Sequence, residues 1–299
     1  MDSQNIYQEV QEHYGSVART FKDTAYSGAV AKAFGYSEDE LSSIPKQANL
    51  GVSCGNPLAI ASLREASKPS RGFGETVIDL GSGAGFDVFL AARKVGPKGR
   101  AIGVDMNKDM LARARENQAG IPDSDNISFV EAVITSIPLP DGTADCIISN
   151  CVINLVPEAE KPAVFKEMAR LLRPGGRVAI SDILARKVMP AELRESVALY
   201  VGCIAGCNLK EDYARWLEES GFGDVVIADT NSDLNVYVDM AKDPSVKDPD
   251  TAGCCGPPAK EASKTSCCST AVKAPSDISL GDINLNEWAG SFKIFAVKK

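Results

Sequence analysis

The sequence predicts a doubly wound α/β fold with a mostly parallel sheet of seven strands, and three observations lead to it. From residue 76 onward, short β-rich runs alternate with stretches of helical periodicity, the pattern of strands joined by crossover helices. The first of these runs passes directly into a glycine-rich turn that opens a helix. At 299 residues with 44% hydrophobic and 24% charged side chains, the chain is long enough and apolar enough to bury a substantial core.

Taken in order, the predicted strands are Thr76–Leu80, Ala101–Asp105, Ile127–Glu131, Asp145–Ser149, Arg177–Ile183 and Asp224–Ala228. The helices fall between them, at 86–95, 107–118, 158–172, 190–205 and 208–220, the last opened by an Asn208/Glu211 capping box and closed by Gly221. Residues 1–72 precede the first strand and carry only weak amphipathic periodicity, so they read as a helical lid over the domain of residues 73–240. Residues 241–280 hold five prolines and no aromatic residue, which predicts a disordered insertion. The alternating run Ser291–Val297, within a final segment 281–299, then returns as an antiparallel last strand.

Composition excludes several function classes. The formal net charge is 32 − 40 = −8 without a basic block, which disfavours a phosphate backbone as partner. No apolar run approaches the roughly 20 residues that span a bilayer. Residues 1–12 have neither the cationic nor the apolar region of a signal peptide, so a cytosolic location is expected. There the nine cysteines are expected to persist as thiols. The single histidine, His13, removes a Ser-His-Asp triad and His-rich metal sites from consideration.

The turn Gly81-Ser82-Gly83-Ala84-Gly85 follows the first strand, and glycines there let the backbone turn tightly and approach a ligand. The spacing is GxGxG rather than the GxGxxG of most dinucleotide loops, which points to S-adenosylmethionine (SAM). SAM lacks a pyrophosphate but carries an ammonium, and Asp79 just before the loop is placed to orient that end. The second strand ends in Asp105-Met106, where a carboxylate can accept both ribose hydroxyls. Val133-Ile134, after the third strand, reads either as an adenine cover or as core. Asn150, at the end of the fourth strand, completes the candidate cofactor set.

Cys54 lies in the lid. Cys151 follows the fourth strand at the carboxyl edge of the sheet, and Cys203 is predicted on the 190–205 helix with Cys207 on the same face. Each reads either as a buried small hydrophobe or as one of three thiolates converging on a soft, pyramidal trivalent ion.

From Gly35 to about Phe222 the chain resembles the arsenic(III) SAM-methyltransferases, a family of class I methyltransferases. The resemblance rests on Gly55-Asn56-Pro57 beside Cys54, VIDLGSGAGFDVFLAARKVGPKGRAIGVDM from Val77 to Met106, SNCVINL from Ser149 to Leu155, LLRPGGRVAISDI from Leu171 to Ile183, and YVGCIAG from Tyr200 to Gly206. It implies that Cys54, Cys151 and Cys203 bind trivalent arsenic. Arsenite and methylarsenite would then be the substrates and SAM the methyl donor, with glutathione or thioredoxin as thiol reductant. It also implies that the vicinal pairs Cys254-Cys255 and Cys267-Cys268 capture arsenite. The chain departs from many members in having no cysteine upstream of Cys54. Two other readings stand beside this one: a class I methyltransferase acting on a small organic molecule, and a non-catalytic protein that sequesters arsenic or metal.

Overall fold

The computed structural model describes residues 3–21, 25–65, 74–190, 194, 200, 203–236 and 284–299. Seven strands form one sheet: β1 (Thr76–Leu80), β2 (Arg100–Asp105), β3 (Ile127–Glu131), β4 (Ala144–Asn150), β5 (Leu172–Ala185), β6 (Phe222–Asp229) and β7 (Ala289–Lys298). Their order is β3-β2-β1-β4-β5-β7-β6. All neighbours are parallel except β7, which runs antiparallel to both β5 and β6, as the alternating run near the C-terminus predicts. The connections leave β1 toward β2 on one side and resume at β4 on the other, so the crevice at the carboxyl ends of β1 and β4 is the topological switch point.

Side-chain alternation sorts the sheet into two cores. On one face Ile78, Leu80, Ile147 and Val178 pack against Val164, Phe165, Tyr213 and Trp216. On the other Val77, Cys146, Ile148 and Ala179 pack against Val88, Phe89 and Val95. Cys146 is therefore a buried small hydrophobe, its thiol pushed up to about 12 by desolvation. The helices that supply these faces are α5 (Phe86–Val95), α6 (Lys108–Ala119), α7 (Lys161–Leu171) and α8 (Lys210–Glu219). Each fully buried aromatic or branched side chain contributes about 1.5–3 kcal/mol.

Before the sheet come α1 (Ser3–Thr20), α2 (Ala25–Ala33), α3 (Glu38–Ser42) and α4 (Leu58–Ala61). Helix α1 lies against α6: Asn107 Nδ2 donates to Gln11 O at 2.8 Å and Arg113 Nη1 to Ala18 O at 2.6 Å. Among the described residues no helix is long and apolar enough to cross a membrane.

Two local expectations fail. The predicted capping box at Asn208 is absent, and α8 begins at Lys210 behind Leu209 with no side-chain cap. The Asn208 side chain is engaged elsewhere, donating to Glu158 Oε1 at 3.0 Å and accepting from Lys161 Nζ at 2.6 Å. The helix predicted to 205 does not reach Cys203. Arg194 and Tyr200 are helical, but Cys203–Gly206 form turns and bends, so Cys203 and Cys207 share no helix face. Gly206 explains part of this, because its backbone packs so closely on Asn154 that any Cβ there would collide with the Asn154 carbonyl oxygen.

The chain leaves β6 and re-enters before β7 at one clasp. Leu234 N donates to Asn286 Oδ1 at 2.8 Å, and Leu285 N donates to Asn235 Oδ1 at 3.0 Å. The expected insertion and its cysteine pairs, Cys254-Cys255 and Cys267-Cys268, lie outside the described residues.

Candidate active site

A cleft of about 1070 Å³ opens at the switch point, lined from one side by the glycine turn and from the other by the segment after β4. Gly81, Gly83 and Gly85 all adopt positive φ, at 67°, 51° and 93°. Side chains rarely accept this left-handed conformation, which is why the turn is glycine at every second position. Every predicted cofactor residue except Gly85 lines the cleft: Asp79, Gly81, Ser82, Gly83, Asp105, Met106, Val133, Ile134 and Asn150. Gly85 instead starts α5 behind the turn, where a Cβ would strike the Phe89 ring. Val133 is 38% exposed and Ile134 buried, so of that pair one faces the cleft mouth and one belongs to the core.

The electrostatics of this half are one-sided. Asp79 is buried, and no ion pair among the described residues reaches it. Desolvation, with Asp87 and Asp105 nearby, holds its carboxyl well above the usual range. Asp87, in the first turn of α5, is pushed up to about 6 by desolvation, partly offset by hydrogen bonds from Asn150 and Tyr36. Asp105 is also raised by desolvation, although Gly83 N and Asn107 N each donate to it at 2.8 Å. The Asp105 carboxylate therefore ties the glycine turn to the start of α6, a role its position in the sequence does not reveal. Ser82 Oγ is buried without a hydrogen-bond partner. Three crowded carboxylates and an orphaned hydroxyl suit a ligand that carries positive charge and polar groups.

Asn150 is a junction as well as a wall. Its Nδ2 donates to Tyr36 Oη, Gly55 O and Asp87 Oδ2, and its Oδ1 accepts from Cys54 N at 3.3 Å. Tyr36 Oη completes the group by donating to Asp87 Oδ1 at 2.7 Å. The sequence alone does not mark Tyr36, Asp87 or Asn107, because each gains its role from a partner far along the chain.

The other half of the site holds the cysteines. Cys54, Cys151 and Cys203 are all buried within one apolar cluster, together with Cys207. Contrary to the expectation of free thiols, Cys54 and Cys151 are joined by a disulfide, their Cα atoms 5.9 Å apart. Two segments 97 residues apart in sequence meet here, a proximity that no local pattern encodes. Cys203 remains a thiol, donating to the Cys151 carbonyl oxygen at 2.8 Å. Cys151 and Cys203 both have positive φ, 59° and 63°, a cost of about 1 kcal/mol or more for a residue with a Cβ. Asn154 Nδ2 helps hold the turn, donating to Cys203 O at 3.1 Å and Asp182 Oδ1 at 2.9 Å. Fully buried Asp182, pushed up to about 7 by desolvation, has a carboxylate oxygen within 4.8 Å of both disulfide sulfurs. Cys207 is pushed up to about 12, chiefly by desolvation, and sits beside Lys161.

Comparisons with known proteins agree with this architecture. Residues 73–221 match the model of a methyltransferase domain. The chain is 42% identical over 221 residues to an arsenite methyltransferase of Halobacterium salinarum, covering 74% of this chain and 53% of that one. It is 34% identical over 227 residues to an arsenite methyltransferase of Aquipseudomonas alcaligenes, covering 73% and 62%. This chain thus spans little more than half the length of these relatives. Among solved structures, an arsenic(III) S-adenosylmethionine methyltransferase from Chlamydomonas reinhardtii superposes with a TM-score of 0.54 at 23% identity, covering 93% of this chain and 75% of that one, which supports the fold. Sequence and fold together make this chain a class I methyltransferase domain that belongs to the arsenite methyltransferase family.

Proposed function

We propose that the chain transfers methyl groups from SAM to trivalent arsenic held by Cys54, Cys151 and Cys203. The observation that carries this reading is the meeting of three cysteines, from three distant segments, in one buried cluster whose Cys151 also lines the carboxylate-walled cleft. The names of the relatives point the same way.

The cleft fits SAM by its chemistry. Asp79 would accept from the ammonium end, Asp105 from the ribose hydroxyls, and Ser82 Oγ would gain the partner it lacks. Val133 and Ile134 would cover the adenine, with Met106 and Asn150 completing the walls. Bound there, SAM supplies an electrophilic methyl group, which a lone pair on thiolate-bound arsenic can take without a general base.

The chain's own part is to hold, orient and exclude water. Arsenite binding exchanges three As–OH bonds for three As–S bonds, and the thiol protons leave with hydroxide as three waters. The Cys54–Cys151 disulfide must first open, which takes two electrons and two protons from a thiol reductant such as glutathione or thioredoxin. A reductant is needed again because methyl transfer formally oxidises arsenic. The pairs Cys254-Cys255 and Cys267-Cys268 are proposed to capture arsenite ahead of this site.

The test is reduced protein with SAM, arsenite and glutathione, followed by arsenic speciation. Methylarsenicals with matching S-adenosylhomocysteine are expected. Arsenite bound without methylation would favour sequestration, and SAM bound without arsenite binding would favour a small organic acceptor.

A further inference from the structure

Helix α1 brings one side chain to both halves of the cleft. Tyr7, Val10 and Tyr14 recur at helical spacing and all line it. Of the three, Tyr14 also reaches the cysteines, with Oη 3.9 Å from Cys203 Sγ. Cys203 Sγ lies 2.8 Å from the Cys151 carbonyl oxygen on its other side. A carbonyl oxygen carries no hydrogen, so the thiol proton is directed there, and the Tyr14 hydroxyl is left to donate to the sulfur.

We propose that Tyr14 is a positioning residue for methyl transfer: its hydroxyl orients the Cys203 sulfur while its ring walls the cofactor half of the cleft. The inference rests on the reading of Cys203 as an arsenic ligand. Substitution of the thiol hydrogen by arsenic ends the contact with Cys151 O. The Tyr14 donor then keeps the sulfur's direction, on a residue whose left-handed backbone allows little other adjustment.

Tyr14→Phe removes the hydroxyl and keeps the ring, so it separates the two roles. The first readout needs no arsenic: the infrared S–H stretch of Cys203, identified by its loss in Cys203→Ser, should shift in Tyr14→Phe. An unmoved band would overturn the proposal. In turnover, kcat/KM for arsenite should fall about tenfold, the size expected for one hydrogen bond, while the SAM Kd stays within about twofold. Unchanged kcat/KM, or a SAM Kd weakened by the same factor, would make Tyr14 a mere wall and reject the idea. Tyr14→Leu, which loses the ring, should weaken SAM as well. A wild-type protein that fails to methylate arsenite would sink the arsenic reading itself, and the infrared band would still decide whether Tyr14 orients Cys203.

Discussion

The glycine half of the cleft comes from one continuous βαβ unit, Thr76 to Asp105, whereas the cysteine half gathers Cys54, Cys151 and Cys203 from three segments. In the first, each positive-φ residue of the turn is a glycine, so the chain adopts its shape without strain. In the second, two positive-φ residues are cysteines, held by Asn154, Ser181 O and the disulfide. Under the proposed function, the first half receives the cationic cofactor in a shape already set by its own turn. The second is built by long-range contacts and closed by a covalent bond, so its readiness depends on redox state.

The largest effect should come from that closing bond. Without a thiol reductant, methylation of arsenite should be undetectable while SAM still binds, as read by arsenic speciation beside calorimetry. Equal activity with and without reductant would break the contrast between the halves. Cys151→Ser and Cys203→Ser should lose activity on both arsenite and methylarsenite.

A sharper test divides the cysteines among themselves. Methylarsenite has one valence occupied by carbon and takes only two thiolates. Cys151 lines the cleft, and Cys203 Sγ lies between the Cys151 carbonyl oxygen and the hydroxyl of the cleft residue Tyr14, so these two are taken as the pair that holds methylarsenite. Cys54→Ser is therefore expected to abolish methylation of arsenite and keep much of the rate on methylarsenite. Cys54 is not loose, because Ser291 Oγ donates to its carbonyl at 2.7 Å and its N–H donates to Asn150. Equal loss on both substrates would show that all three sulfurs are needed throughout.

Asp105→Ala should weaken SAM by roughly ten- to a hundredfold, the range for hydrogen bonds to a charged group, and leave arsenite binding intact. Part of that loss would come from freeing the glycine turn, since Asp105 also accepts from Gly83 N. Unchanged SAM affinity would remove Asp105 from the cofactor site.

The smallest effect concerns pH. Asp87 is raised to about 6, so a fraction of it is protonated near neutrality, and desolvation shifts the Asp79 carboxyl in the same direction. A cationic ligand favours the ionised forms. SAM affinity should therefore fall as pH drops through about 6, and binding at pH 7 should release protons. Calorimetry in buffers of different ionisation enthalpy measures that release, and none would mean that the carboxylates are already fully ionised.

The same division governs what the sequence reveals. The strands, the glycine turn and Asp105 are legible because their signals are local: period-two runs, a spacing, a strand tip. Asp87 looks like an ordinary first-turn acid of α5 until Tyr36, 51 residues upstream, and Asn150, 63 downstream, meet it. Asp182 within SDI gives no hint that it lies beneath the cysteine pair. The Asn208 capping box fails for the same reason, because buried Lys161 and exposed Glu158 outcompete a local cap. Resemblance singles out the three cysteines, but neither spacing nor resemblance predicts that two of them are bonded.

The clasp at Leu234 and Leu285 has a consequence for how this chain can change. Strand β7 takes its place between β5 and β6 by pairing along both edges, and the two ends of the intervening segment are pinned together by their own hydrogen bonds. Among the described residues, the closure of this edge of the sheet is carried by contacts on either side of that segment. Changes of length or composition between the pins therefore leave the residues that make these contacts unaltered. The vicinal cysteines of that segment can thus change in number and spacing without a change in the residues that pair β7 beside the cleft.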